Sequence, residues 1–134
     1  MNNCIFCKIV AHKTPCYKIY ENEYVLAFLD IAKSAEGHII LISKEHYVNF
    51  FDASEIQTIE IAKAVKSISK HLVEKCGFTG VNIFNSNGES AQQSIPHLHI
   101  HIIPRKEQDG LNAWRLEAKL DLDLNLVHKK LTMI

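Results

Sequence analysis

A chain of 134 residues suits one domain, and it is long enough to bury a core without disulfide or metal staples. Its 15 basic and 15 acidic side chains cancel, which argues against a nucleic-acid polymer as partner, since that needs a basic face; a single nucleotide is still within reach of a few donors. The 47% hydrophobic and 22% charged fractions are those of an ordinary soluble globular domain. No apolar run reaches the ~18 residues of a membrane-spanning helix, and no basic-then-apolar leader opens the chain. Four cysteines do not make a secreted disulfide scaffold, so a reducing cytoplasmic location is expected.

In chain order, 18–21 and 24–29 read as two strands about a Glu-Asn turn, rich in Tyr, Ile, Val and Phe. Residues 38–43 (HIILIS) form a short apolar run that fits a central strand. From Ser54 the period changes. Ile56, Ile59, Ala62, Val65, Ile68 and Leu72 recur at threes and fours, which predicts an amphipathic helix, with Ser54 and Gln57 as a capping box and Gly77 as its stop. Residues 81–84 read as a strand, 85–90 (NSNGES) as a turn, and 97–103 as an alternating strand. The segment 111–131 reads as a loop followed by a helix. Cys16 and Cys76 are expected to be small, part-buried thiols, His12, His71 and His128 surface residues, and Trp114 a packing residue. Five strands and one long helix, without βαβ alternation, predict an α+β domain with a mainly antiparallel sheet and a shorter C-terminal helix. A single domain over 1–134 is expected, with its core at about 4–105 and a tail over 106–134.

Residues 97–103 read His-Leu-His-Ile-His-Ile-Ile. Side chains alternate along a strand, so His97, His99 and His101 share one face and Leu98, Ile100 and Ile102 the other. The apolar face can pack on a core while three imidazoles, spread over about 13 Å, line a polar surface. Such a row can serve as base, nucleophile or hydrogen-bond donor near neutral pH, and a strand-borne His-x-His can also bind a metal.

The pattern His-φ-His-φ-His-φ-φ, with φ apolar, resembles the signature of the histidine triad (HIT) family. The likeness extends from Cys4-x-x-Cys7 to about Arg105. It takes in Phe28-Leu29-Asp30-Ile31, Gly37-His38, Lys44-x-His46, Asn87-Gly88 and Gln93-Ser94. The resemblance implies a nucleotide hydrolase or transferase acting at the α-phosphorus of purine nucleoside phosphoramidates. His99 would be the nucleophile, forming a nucleotidyl-histidine that water resolves. His101 would act at the phosphate and leaving group, and His38 would orient the triad. Gln93 and Ser94 would donate to phosphate oxygens, with Asn87 in the same loop. Asp30 would accept the ribose hydroxyls and Ile31 would wall the base. The resemblance also implies a two-fold homodimer, built on the long helix and a nearby edge strand.

The N-terminal cysteine pair needs two more ligands to close a tetrahedral zinc site. The resemblance supplies His46 and His97, implying a structural zinc held by Cys4, Cys7, His46 and His97 and not needed for the chemistry. A redox pair is the rival reading, but no βαβ pattern surrounds it. The chain departs from the family pattern at Lys33-Ser34 and Ser43, where proline is usual, and at Ser86 and Ala91-Gln92. These bear on loop shape and leaving-group preference, not on the nucleophile. Ile103-Pro104-Arg105 leans towards the Fhit-like branch, which splits dinucleoside polyphosphates such as Ap3A and Ap4A; the cysteine pair and short chain lean towards the Hint-like branch. A reading of another class is a non-catalytic metal-binding or interaction protein.

Overall fold

The computed structural model describes residues 3–32, 34–112 and 120–134. Trp114 therefore lies outside the described residues. The elements run α1 (Ile5–Val10), β1 (Lys18–Glu21), β2 (Val25–Leu29), β3 (Ile39–Ser43), α2 (Glu55–Cys76), β4 (Gly80–Phe84), a 3-10 turn (Glu89–Ala91), β5 (His99–Arg105) and α3 (Leu124–Leu131). The strands form one five-stranded sheet in the order β1-β2-β3-β5-β4. Every pairing is antiparallel. This is the α+β architecture expected from the sequence.

The two faces of the sheet bury different sets of residues, as strand alternation requires. On one face Val25, Ala27, Ile39, Leu41, Leu98, Ile100 and Ile102 pack against Ile61, Ala64, Ile68 and Leu72 of α2. On the other, Leu26, Phe28, Ile40 and Ile42 meet Phe6 and Ile9 of α1. Each buried Val, Leu, Ile or Phe among them contributes ~1.5–3 kcal/mol. The 22-residue α2 packs along the first face, whereas the six-residue α1 packs on the second through Phe6 and Ile9, so the second face keeps room for a site.

Helix α2 starts and stops where the sequence predicts: Ser54 accepts from the Gln57 N–H at 3.1 Å, and Gly77 closes the helix at φ +83°. Its buried stripe differs, however. Gln57, Ile61, Ala64, Ile68 and Leu72 face the sheet, whereas Ile56 and Ile59 are 59% and 47% exposed. Gln57 takes a core place because its amide donates to the Tyr24 carbonyl at 3.3 Å. The second strand begins at Val25, one residue later than expected, because the Asn22 side chain accepts from the N–H groups of Tyr24 and Val25 at 2.8 and 3.0 Å and closes the turn.

The triad strand begins at His99, not His97. The Leu98 N–H is taken by the Tyr47 carbonyl at 2.8 Å, and ladder pairing starts only at Ile42 and His99. The strand runs on through Pro104 to Arg105. Pro104 is tolerated because β3 stops pairing at Ile39 and Ile102, so its missing N–H leaves no gap on that side. Helix α1 is too short to show a period in sequence, and no helix is expected there. Of the two isolated cysteines, Cys16 is half-buried as expected, whereas Cys76, the last residue of α2, is exposed.

Candidate active site and metal centre

Two segments carry His38, His99 and His101. β5 carries His99 and His101, with Leu98, Ile100 and Ile102 turned into the core beneath α2. The turn before β3 carries His38. Gly37 allows that turn: it sits at φ +76°, and a Cβ there would lie 3.2 Å from Pro104 Cγ. Antiparallel pairing of Ile40 with His101 then brings His38 alongside the triad.

The result is a relay. The Asp30 carboxylate lies 3.5 Å from His38 Nδ1, and His38 Nε2 lies 2.9 Å from His101 Nδ1. The carboxylate favours the proton on His38 Nδ1. That leaves His38 Nε2 to accept from His101 Nδ1–H and exposes His101 Nε2. Burial, and then the neighbouring His99 and His38, lower the His101 pKa to about 4. Burial also lowers His38, against the opposing pull of Asp30. Both rings are therefore neutral at pH 7. Asp30 is itself oriented by the Ala32 N–H, 2.8 Å from Oδ1.

His99 is 5% exposed, and its Nδ1 lies 2.7 Å from the main-chain carbonyl of His97. A carbonyl only accepts, so Nδ1 carries the proton and Nε2 keeps its lone pair. The ring meets His101 edge-on at 5.1 Å and Phe6 at 5.3 Å between centroids. The Asn85 side chain donates to the His99 carbonyl at 2.9 Å and fixes the strand from the β4 side.

A cleft of about 240 Å³ opens beside this relay, lined chiefly by Ile5, Phe6, Ile9, Cys16, Phe28, Asp30, Ile31 and Ile95. It shares Phe6 with His99 and Asp30 with His38. A larger hollow of about 410 Å³ lies at the far end of β5, between Thr79, Arg105 and Leu111. Neither hollow is lined by His38, His99 or His101, but the smaller one has in its wall Asp30 and Phe6, which contact His38 and His99, and so is the one positioned for chemistry.

The loop before β5 holds the remaining expected residues. Gln93 accepts from Asn49 Nδ2 and the Gly88 N–H at 3.1 and 2.9 Å, and donates to the Val48 and Ile95 carbonyls at 2.7 and 2.9 Å. Its amide is thus saturated within the protein and here holds the loop in shape, while Ser94 is exposed. Asn87 donates to the Asn85 side chain and accepts from the Phe50 N–H at 2.9 Å. Asn49, Asn85 and Phe6 escaped sequence reading. Asn85 lies inside a run that reads only as turn chemistry, and Phe6 is one apolar residue between two cysteines.

The second cluster joins Cys4, Cys7, His46 and His97, whose ligand atoms all lie within 4.8 Å of one another. His97 Nδ1 is 3.2 Å from Cys4 Sγ, 3.6 Å from Cys7 Sγ and 3.1 Å from His46 Nδ1; Cys7 Sγ is 3.2 Å from His46 Nδ1. Tetrahedral zinc bonds of ordinary length imply ligand-to-ligand edges of about 3.3–3.8 Å; the four distances, 3.1–3.6 Å, lie at or just below that range, so the donor set is near the size a zinc ion needs. His97 Nε2 lies 2.7 Å from the Ser43 carbonyl and so carries the proton, leaving Nδ1 as a lone pair towards the cluster. Burial and the neighbouring Cys4 sulfur push the Cys7 thiol up, a penalty that a divalent cation removes. The cluster can therefore hold a metal ion.

This α+β sheet, with a histidine row on one central strand and a carboxylate-backed histidine from its neighbour, defines a triad-type fold. The HIT domain family matches residues 11–108, and the chain belongs to that family. It is 41% identical to an uncharacterised HIT-like protein of Methanocaldococcus jannaschii, over 96% of this chain and 98% of that one. It is 39% identical to the adenosine 5′-monophosphoramidase of Schizosaccharomyces pombe, over 83% of this chain and 81% of the relative. A Zn-bound histidine triad family protein of Mycobacterium smegmatis superposes with a TM-score of 0.79 at 33% identity, covering 85% of this chain and 83% of that one.

Proposed function

We propose that this protein hydrolyses purine nucleoside phosphoramidates of the AMP-amidate type through a nucleotidyl-histidine. The observation that carries the reading is the tautomer of His99: Nδ1–H is given to the His97 carbonyl, so a neutral Nε2 lone pair stands beside a neutral His101. The relationship to an adenosine 5′-monophosphoramidase supports the substrate class.

The base enters the apolar cleft against Ile31 and Phe28, and Asp30 at its wall accepts the ribose hydroxyls. His99 Nε2 attacks the α-phosphorus and the P–N bond breaks. An anionic phosphate next to His101 raises that group's pKa from its depressed value, so His101 takes up a proton as substrate binds and delivers it to the departing nitrogen. The amine leaves, and the nucleotide remains on His99. Water then attacks phosphorus with His101, neutral again, receiving its proton, and the nucleoside monophosphate is released. His38 and Asp30 hold His101 in the tautomer that presents Nε2, Asn87 and Gln93 keep the phosphate loop shaped, and Ser94 is the exposed donor at its end.

The rival activity on dinucleoside polyphosphates rested in part on Arg105. That side chain is bound by Asn82 at 2.7 Å, by both oxygens of Asp109 at 2.8 and 2.9 Å, and by the Leu111 carbonyl at 2.6 Å. Arg105 is thus engaged in joining the strand end to the tail. A panel of AMP-amidate against Ap3A and Ap4A, with and without chelator, tests the reading. Faster turnover of the amidate that survives chelation supports it. Faster turnover of Ap3A or Ap4A moves the chain to the other activity, and turnover of none of them leaves a metal-binding protein.

We further read Cys4, Cys7, His46 and His97 as a structural zinc site, with every position taken by protein and none left for water. A two-fold homodimer is the proposed assembly: β4 is an edge strand with Ile83 49% exposed, and α2 shows Ile56 and Ile59 outward. Light scattering giving twice the 15.3 kDa chain mass supports it, and a concentration-independent monomer overturns it. Among the described residues no helix is long and apolar enough to cross a membrane. With four cysteines free, we place the protein in the cytoplasm, as one domain spanning 1–134 with its core at 4–105.

A further inference from the structure

Helix α1 belongs to both clusters at once. Cys4 caps it and Cys7 lies within it, while Ile5, Phe6 and Ile9 of the same six-residue helix line the cleft. Phe6, between the two cysteines, meets the His97 and His99 rings edge-on at 5.7 and 5.3 Å. Six residues are far below the ~12–15 needed for a helix to persist unaided in water. Apart from the cysteines, α1 is held to the sheet mainly by Phe6 and Ile9, which are 4% and 8% exposed. Ile5, at the cleft mouth, is 41% exposed and anchors little. The position of this wall thus depends on whether Cys4 and Cys7 are tied to His46 and His97, which follow β3 and precede β5.

We infer that α1 is a metal-latched wall of the nucleotide cleft, so that metal occupancy at Cys4 and Cys7 sets the affinity for the base-bearing part of the nucleotide. This rests on the cleft being the nucleotide site. The phosphate end is organised by β5 and the 85–95 loop, whose hydrogen-bond clamps run through Asn49, Asn85 and Gln93; α1 meets this end only through apolar contact of its cluster with Ile95 and of Phe6 with His99. The two ends of one ligand therefore respond differently to the metal. Linkage makes the effect reciprocal: a nucleotide that needs the wall in place tightens the metal by the same factor.

The test uses the full chain, zinc-loaded and chelator-stripped, with AMP and ribose 5-phosphate as probes in titration calorimetry. Stripping is expected to weaken AMP about tenfold or more while ribose 5-phosphate changes less than about twofold. Zinc affinity, read by competition with a chromophoric chelator, is expected to rise by the same factor in saturating AMP and hardly at all in saturating ribose 5-phosphate. This second arm decides the matter even if the stripped chain loses its fold, because a latch acting through global folding would respond to both probes alike. Ile5→Ser, which shortens the wall without touching the core, is expected to weaken AMP and leave zinc affinity without nucleotide unchanged. Equal AMP affinity with and without zinc, or equal responses to the two probes, overturns the latch and leaves the hydrolase reading standing. A loaded protein that binds neither probe overturns both.

Discussion

His97 and His99 lie two residues apart and are held in opposite tautomers by main-chain carbonyls. His97 gives its Nε2 proton to Ser43 at 2.7 Å and turns Nδ1 to a closed set of two sulfurs and another imidazole. His99 gives its Nδ1 proton to the His97 carbonyl at 2.7 Å and keeps the lone pair on Nε2, its ring edge-on to His101. The residue type is the same, and the two sit on either side of the start of β5. What differs is which nitrogen is already occupied and what faces the other one. On the proposed roles, the closed donor set would make His97 a ligand, and the free lone pair beside a carboxylate-backed partner would make His99 a nucleophile.

The most decisive way to break this comparison is His99→Ala. We expect kcat/KM on an AMP-amidate to fall by at least ~10³-fold with the fold retained by circular dichroism, and no nucleotide to be trapped on the protein in mass spectra. A variant keeping a tenth of the wild-type rate would remove His99 from the covalent role. Cys4→Ser probes the other partner. Its melting temperature should fall on the order of 5–10 °C with loss of bound zinc, while kcat at saturating substrate stays within about threefold. Unchanged melting with lost chemistry would reverse the two assignments.

A smaller effect concerns pH. His101 accepts a proton at about 4 in the folded protein against 6.5 ordinarily, so the unfolded chain protonates first. The stability tied to its neutral form is whole above about pH 6.5 and drains as pH falls from there to about 4. Denaturant midpoints measured at pH 7 and pH 4.5 should therefore fall less in His101→Gln than in wild type; an equal fall would place the titration elsewhere. The smallest effect is expected at Asn85→Ala. It removes one side-chain bond to the His99 carbonyl, so stability should drop by about 1 kcal/mol and turnover by less than ~10-fold. No change in either would show that β5 is held by its ladder alone.

Much of this was legible in residue order. Alternation over 97–103 placed the histidine row opposite Leu98, Ile100 and Ile102, and the structure buries those three beneath α2. Ser54 and Gly77 bounded the long helix because caps are local chemistry, complete within four or five residues. The helix stripe was read less well. Ile56 and Ile59 keep helical spacing yet face outward, and which side of a helix meets the sheet depends on packing that spacing alone does not encode. Cys4-x-x-Cys7 announced two ligands, and family likeness proposed the other two. Their convergence is a property of the sheet: β3 and β5 are neighbours, so the residue three beyond β3 and the residue two before β5 meet at one end.

The tautomers were beyond reach of the sequence for the same reason. A carbonyl accepts from whichever ring nitrogen the backbone aims at it, and every residue has a carbonyl. Residue types and their periods foretold the strands, the long helix and the facing of the histidine row, because these follow from local geometry repeated along the chain; the candidate chemistry came from the family resemblance. His99 finds its acceptor only two residues away, but whether Gln93 points at phosphate or saturates its own loop, whether Arg105 is free or clamped, and which nitrogen of His97 is left open depend on partners far along the chain: Asn49 and Val48, Asn82, and Ser43. Those contacts exist only once burial of the two sheet faces has brought the segments together.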